Sequence, residues 1–261
     1  MRTPLLCLLL ACGCASTGES PWRGAAVAQF MYGDVDGFVQ IPAGGAPGST
    51  SSRRPTLDEL GIDSGSVYDI AGAAQKDRHI INLGARLTTL DGSGTLTQDL
   101  TSQNEFYPAG TQVESDIQLN WYRLGYLYEI PLVPAQDGSQ VFLSPGVQAI
   151  LLDFDYELNG DGGQRSKRGF TKGGVRLGGT ARWQTSEKFS LDALAYLGVN
   201  LGSTADISSF EIVGRYSFSK LFSAFGGVAW DRIEFEDSQA VPNRIDIDFG
   251  PLAVVGIRFD F

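Results

Sequence analysis

The stretch QVESDIQLNW, residues 112–121, decides how the chain folds. Val113, Ser115, Ile117, Leu119 and Trp121 share one parity, and Gln112, Glu114, Asp116, Gln118 and Asn120 share the other. Successive side chains of a strand leave on opposite faces, so the segment reads as a strand with one apolar and one polar face. The alternation recurs downstream. Over 170–184, Val175, Leu177, Ala181 and Trp183 oppose Lys172, Arg176, Thr180, Arg182 and Gln184. Over 189–201, Leu191, Ala193, Ala195, Leu197 and Val199 oppose Ser190, Asp192 and Asn200. Over 81–87, Ile81, Leu83, Ala85 and Leu87 oppose Asn82, Gly84 and Arg86. Over 244–261, Ile245, Ile247, Phe249, Ala253, Val255, Ile257, Phe259 and Phe261 oppose Arg244, Asp246, Asp248, Arg258 and Asp260.

Composition narrows the setting. The chain has 261 residues, 43% of them hydrophobic, a net charge of −10 and 33 glycines. That apolar share excludes a disordered chain, and the acidic balance argues against a nucleic-acid partner. Glycine at nearly twice its usual share favours a turn-rich β-protein. A mean hydropathy of −0.05 and the lack of an apolar run of ~18 residues exclude a helical membrane protein. Membrane strands escape that test, because their apolar residues alternate with polar ones.

The first 15 residues read as an export signal, with Arg2, an apolar core from Leu5 to Ala11 and small residues through Ser16. Two cleavages fit. Leu9-Leu10-Ala11-Cys12 resembles a bacterial lipobox and would make Cys12 a lipidated first residue; Gly13-Cys14-Ala15 would instead direct cleavage before Ser16. All three cysteines lie here, so residues 16–261, read as one domain, have no disulfide, zinc or cysteine-nucleophile chemistry.

A soluble sandwich also alternates, but its strands average five or six residues, whereas tilted membrane strands need about nine to eleven within the lipid. The expected fold is all-β: an antiparallel up-and-down transmembrane β-barrel of ten strands, with apolar residues toward lipid and charge toward the axis. Up-strands fall near 24–40, 78–90, 139–157, 188–202 and 221–236. Down-strands fall near 66–75, 112–130, 169–185, 208–218 and 243–261. The pattern is weakest over 24–75, and eight strands with an N-terminal extension is the alternative. Short turns at 76–77, 185–188 and 219–220 mark the periplasmic side; long polar loops, including 42–64, 91–112 and 159–168, mark the outside. Aromatic rings are expected at both rims, Trp183, Phe189, Phe218, Phe222, Phe259 and Phe261 at one, and Phe170, Phe210, Trp230 and Phe249 at the other. Thr56 and Glu59 form a capping box that Gly61 can end, which predicts one helical turn in the first loop.

The segment Gly256-Ile257-Arg258-Phe259-Asp260-Phe261 resembles the C-terminal signature of bacterial outer-membrane β-barrels, and the strand pattern resembles the small opacity-type and outer-membrane-protein-A-type barrels. That resemblance implies a bacterial outer-membrane location. It also implies contact with outer-membrane lipid and lipopolysaccharide, and recognition of Gly256, Phe259 and Phe261 by the assembly machinery.

A barrel this narrow has room for side chains or one small ligand. The expected lumen network is Arg86, Glu114, Asp116, Lys172, Arg176, Arg182, Asp192, Glu211, Arg215 and Arg258, joined by Asp231, Asp246 and Asp248. Facing charges should pair, because an unpaired buried charge is costly. The expected role is non-enzymatic, structural or in surface interaction through the outer loops, without a cofactor. A narrow channel is the first alternative. A surface hydrolase resembling omptins or lipid A deacylases is the second. It would need His79 near Asp153 and Asp155, which the strand order puts at opposite rims. A calcium loop at 155–166 fails at Ser166, where a bidentate Glu is required.

Overall fold

A computed structural model describes residues 22–42, 50–136, 139–202 and 204–261. The export segment and Cys12 lie outside the described residues. The strands are β1 (Arg23–Gln40), β2 (Ser64–Lys76), β3 (His79–Thr95), β4 (Leu100–Ser102), β5 (Glu105–Tyr107), β6 (Gln112–Tyr128), β7 (Ile130–Gln136), β8 (Ser139–Gly160), β9 (Arg165–Gln184), β10 (Phe189–Val199), β11 (Asp206–Ser217), β12 (Phe222–Glu236) and β13 (Arg244–Asp260). Pairing runs β6-β3-β2-β1-β13-β12-β11-β10-β9-β8, and β6 also pairs with β8, so the sheet closes. Among the described residues the wall therefore has ten antiparallel strands, with β7 prolonging β6 along the foot of β8. The segment 24–75 supplies two full wall strands. The small β4–β5 hairpin sits in the 91–112 region, where no element was expected. The outer loop expected over 159–168 is mostly strand and spans only residues 161–164.

The two faces of the wall exchange character partway along the strands. On β8, Leu143, Val147 and Leu151 are exposed while Ser144 and Gln148 point inward and are buried. Above Leu151 the order inverts. Leu152, Phe154, Tyr156 and Leu158 are buried inside, and Asp153, Asp155 and Glu157 lie outside. The same inversion occurs on β6 between Trp121, buried, and Tyr122, exposed, and on β3 between Leu87 and Thr89. The foot of the barrel is apolar outside and polar inside. The outer half has a hydrophobic core and a wetted exterior, like a soluble protein.

The physical cause is the solvent each zone meets. Lipid rewards apolar exteriors over a band of about 25 Å. The exposed run Leu143–Leu151 spans roughly 26 Å along the strand at about 3.3 Å per residue, and roughly 20 Å of height at a ~40° tilt. Water surrounds the wall beyond it, so there the ordinary rule of burying apolar groups returns. Leu177, Leu197 and Ile257 face lipid at 55%, 70% and 39% exposure, whereas Leu119 sits in the outer core at 0%. The expectation that all four face lipid is thus corrected for Leu119, and likewise for Val113, Ile117 and Trp121.

On β13 a bulge carries out this exchange. Phe249 pairs with Val35 and Asp231, and Leu252 pairs with Gly33 and Ala229, so β13 holds one extra residue between them. Since side chains alternate with period two, the extra residue shifts the parity. Ile245, Ile247 and Phe249 point into the outer core, while Val255, Ile257, Phe259 and Phe261 point to lipid. Phe249 and Phe170 consequently leave the expected upper aromatic ring. Phe210 and Trp230 keep their expected places on the outer wall, with centroids 5.6 Å apart. At the foot, Phe218, Phe222 and Phe259 form an outer row at centroid distances of 5.6 and 5.1 Å.

The first loop closes the outer core. Leu57, Leu60 and Ile62 are buried beneath the mouth, with Leu96, Leu100 and Tyr107 from the second loop. The expected capping turn forms: the Glu59 amide donates to Thr56 Oγ1 at 3.2 Å, and the Leu60 amide to the Thr56 carbonyl at 3.1 Å. Gly94 provides its seat, because a Cβ there would lie 2.1 Å from the Glu59 carbonyl oxygen. The Glu59 carboxylate does not complete the capping box. It accepts from the Thr97 amide at 2.7 Å and pairs with Arg53, latching the first loop to the start of the second. Burial works to raise the Glu59 pKa, but the bonds from Thr97 and Arg53 outweigh it and hold the group below its ordinary value. Its contribution is therefore full above about pH 4.3 and is lost as pH falls through the lowered folded value. We expect amide-exchange protection at Leu60 and Ile62 to drop on acidification into that range, and to drop at neutral pH in Glu59→Gln. Unchanged protection in the variant would exclude this latch.

Candidate functional site

The interior is layered. At the foot, Asp192 receives Arg182 Nε at 2.9 Å and Arg215 Nε at 3.2 Å, and Arg258 meets Asp260 at 2.6 Å. At the waist, Asp69 is gripped from two strands. Arg123 reaches it with two nitrogens at 2.7 and 2.8 Å, and Arg86 Nε reaches it at 2.8 Å. Arg86 also pairs with Asp231 and lies 4.0 Å from Glu211, which accepts from Gln29 at 3.1 Å. Gly84 makes room for this cluster, since a Cβ there would meet the Arg123 guanidinium at 2.7 Å.

Arg176 fills the rest of the waist, and among the described residues no carboxylate pairs with it. It donates to Gln148 Oε1 at 2.7 Å and to Ser209 Oγ at 2.9 Å. Its guanidinium stacks 4.5 Å from the Trp121 ring centroid and 4.8 Å from that of Tyr196. Arg86 and Arg123 also lie over Trp121, at 5.0 and 5.4 Å, so one indole carries three guanidiniums. The waist balances Arg86, Arg123 and Arg176 against Asp69, Glu211 and Asp231. Trp121, Asp69, Arg86, Arg176 and Asp231 are all buried. Side chains lining a water-filled path would be wetted, so at this level the lumen is filled.

Of the lumen set expected from the sequence, Arg86, Arg176, Arg182, Asp192, Glu211, Arg215 and Arg258 point to the axis in these two layers. Lys172 also points inward, but higher, where its Nζ lies 5.2 Å over the Phe235 ring. Glu114 and Asp116 are corrections. They lie outside the outer half and are exposed, because the neighbouring parity of β6 is committed to the apolar core. Asp246 and Asp248 move outside for the same reason. Sequence reading missed Asp69 and Arg123, although Asp69 follows Tyr68 in a strand whose other parity is apolar. It also missed Trp121 as the centre of the waist.

His79 is exposed at the foot, with Nδ1 2.6 Å from the Tyr126 hydroxyl. It pairs with Tyr128 of β6, whereas Asp153 pairs with Asn120 of the same strand. Those partners are roughly 26 Å apart at about 3.3 Å per residue. His79 and Asp153 therefore cannot share one water molecule. Among the described residues, no group of three His, Cys, Asp or Glu side chains is placed to hold a metal ion.

Two hollows open at the outer mouth. One, of about 260 Å³, has mixed charge, with Asp206, Glu234, Glu236 and Asp246 near Arg54 and Arg244. The other, of about 250 Å³, is lined by Arg168, Phe170, Lys172, Phe235 and the 237–243 loop.

A closed wall with an apolar belt flanked by exposed aromatic residues, around a charge-filled axis, defines a β-barrel of the transmembrane type. No protein-family model matches the chain, and no curated protein does. Among solved structures it is similar to Ail, the attachment invasion locus protein of Yersinia pestis, at 9% identity and a TM-score of 0.36 over 91% of this chain and 99% of that one. It is also similar to the translocator domain of the autotransporter NalP from Neisseria meningitidis, at 12% identity and a TM-score of 0.41 over 91% and 88% of the two chains. Neisserial surface protein A matches at 11% identity and a TM-score of 0.34 over 92% and 96%. Each is a likeness of barrel architecture, and the functional reading rests on this chain's own residues.

Proposed function

We propose that the chain is a closed, non-enzymatic outer-membrane barrel whose protruding outer half is a surface for interaction. The observation that carries this reading is the waist: buried, charge-balanced and packed around Trp121. Displacing it would expose paired charges to an apolar neighbour layer, which is costly. A passive pore needs the opposite, a wetted and continuous lining. The outer half supports the second part of the reading, because it is as tall as the lipid-embedded half and is stabilised by its own core. A rigid scaffold holding exposed loops is the usual arrangement for recognition.

In planar bilayers the purified protein is expected to give no steady unitary conductance. Ohmic steps that disappear in Arg176→Ala would overturn the closed reading in favour of a channel. The proposed partners in the membrane are lipid and lipopolysaccharide along the belt, and the assembly machinery at Gly256, Phe259 and Phe261. Phe259 and Phe261 face outward at the foot, beside the β1–β13 seam, where Gly24 and Phe261 exchange backbone bonds of 2.6 and 2.9 Å. Phe261→Ala should slow insertion in cells while leaving refolding in detergent unchanged. Equal loss in both would make the residue a matter of stability alone.

A further inference from the structure

The wall has a notch. β10 stops at Val199 and β11 starts at Asp206, so their hairpin is shorter than its neighbours. The last β9–β10 pair is Val175 with Val199, and the last β11–β12 pair is Asp206 with Glu234. Above that level β9 from Arg165 to Gly174 and β12 from Phe235 onward have no strand between them. The hollow of about 250 Å³ lies in this gap, under the 237–243 loop.

Its lining has an unused chemistry. Phe154, Phe170 and Phe235 form a ladder with centroid spacings of 4.8 Å, and Phe170 and Phe235 of it line the hollow as its floor. Arg168 and Lys172 approach from β9. Among the described residues neither is paired with a carboxylate, and Arg168 Nε is a buried donor without an acceptor. Lys172 lies over the Phe235 ring. Buried donors are normally satisfied, so an unmatched one lining a cavity points to a missing acceptor. A third group is also open. Asn243 is buried, its Nδ2 donates to Asp237, and its Oδ1 has no partner. Because a carboxylate can only accept, that bond fixes which end of the amide is the free oxygen. Asp237 itself is occupied by Asn243 and by Gln239 at 2.8 Å.

Two cations unpaired among the described residues, the amide-held Asp237 carboxylate, an aromatic floor and one free acceptor line a space below the ~300–1,000 Å³ of drug-sized sites, and its charge is net positive. We propose that the notch binds a small planar organic anion: a carboxylate on Arg168 and Lys172, an apolar ring on Phe170 and Phe235, and a hydroxyl donor to Asn243 Oδ1. This deepens the reading of the outer half as an interaction surface, since it names a ligand class for one place on it.

The test uses the full chain in dodecyl maltoside, with 3-fluoro-4-hydroxybenzoate as the probe followed by ¹⁹F NMR. Saturable shift or broadening is expected. It should weaken at least about tenfold in the double variant Arg168→Gln/Lys172→Gln, and change less than about twofold in Arg165→Gln/Lys167→Gln, which alters the outer face of the same strand. Heat-dependent gel mobility establishes that each variant is folded. No saturable binding, equal binding of the uncharged 3-fluoro-4-hydroxybenzyl alcohol, or equal loss in the outer-face variant would each overturn the proposal. Failure here removes the ligand site alone, because the closed-barrel reading is tested separately, by conductance and by the waist variants.

Discussion

Asp69→Ala will cost the barrel about 3–5 kcal/mol of unfolding free energy, the usual penalty for removing one partner of a buried ion pair. Asp69 is buried and accepts three hydrogen bonds, from Arg86 and twice from Arg123. Without it Arg123 loses its bidentate partner, and Arg86 retains Asp231 and the more distant Glu211. The guanidiniums then remain stacked on Trp121 with a net positive charge in a dry layer. Their cation–π contacts are already made with Asp69 present, so they do not offset its loss. The comparison is Asp260→Ala at the foot, where the Arg258 pair is partly exposed and should be worth about 0–1 kcal/mol. Urea unfolding in lipid vesicles measures both. A loss at Asp69 no larger than at Asp260 would mean the waist is hydrated, and the closed reading would lose its basis.

The strands that carry the waist show what a sequence conveys. Alternation at 112–121 established a strand and which residues share a face. It did not say which face meets lipid, because period two is the same for a membrane strand and for a soluble one. The solvent decides that, and the solvent changes along the strand. A signal for the change is nevertheless present: the apolar parity of β6 is odd through Trp121 and even at Tyr122, Leu124 and Tyr126. On β8 the odd parity is apolar through Leu151 and acidic at Asp153, Asp155 and Glu157. Reading each strand for an inversion of phase, instead of one continuous stripe, would have placed Glu114 and Asp116 outside. β13 hid its inversion, because the bulge between Phe249 and Leu252 keeps apolar residues on odd positions along the strand. Strand number and order were legible because turns and strand lengths are local. Asp69 and Arg123 were not, since their pairing depends on which strands become neighbours.

A basic substitution on the outer wall should then have a cost set by height. Leu83→Arg places a guanidinium on the lipid face of β3, where Ile81, Leu83 and Leu87 are exposed. At the bilayer midplane this costs about 2–4 kcal/mol. Thr89→Arg lies on the same face of the same strand, six residues on, next to exposed Asp91, and should cost about 0–1 kcal/mol. Inward positions reverse the order. Ile117→Asn puts an amide into the outer core, where Ile117 is fully buried, and adds the ~1–3 kcal/mol of an unsatisfied polar group to the lost packing. Its neighbour Asp116→Ile merely exchanges one exterior group for another in water and should stay within about 0.5 kcal/mol. A barrel with charge toward its axis throughout would give the opposite result for this pair: Asp116→Ile would break an interior charge network and Ile117→Asn would touch only the outside. Vesicle unfolding of the four variants separates the two structures, and a large loss at Asp116→Ile with little at Ile117→Asn would refute the protruding, soluble-like outer half.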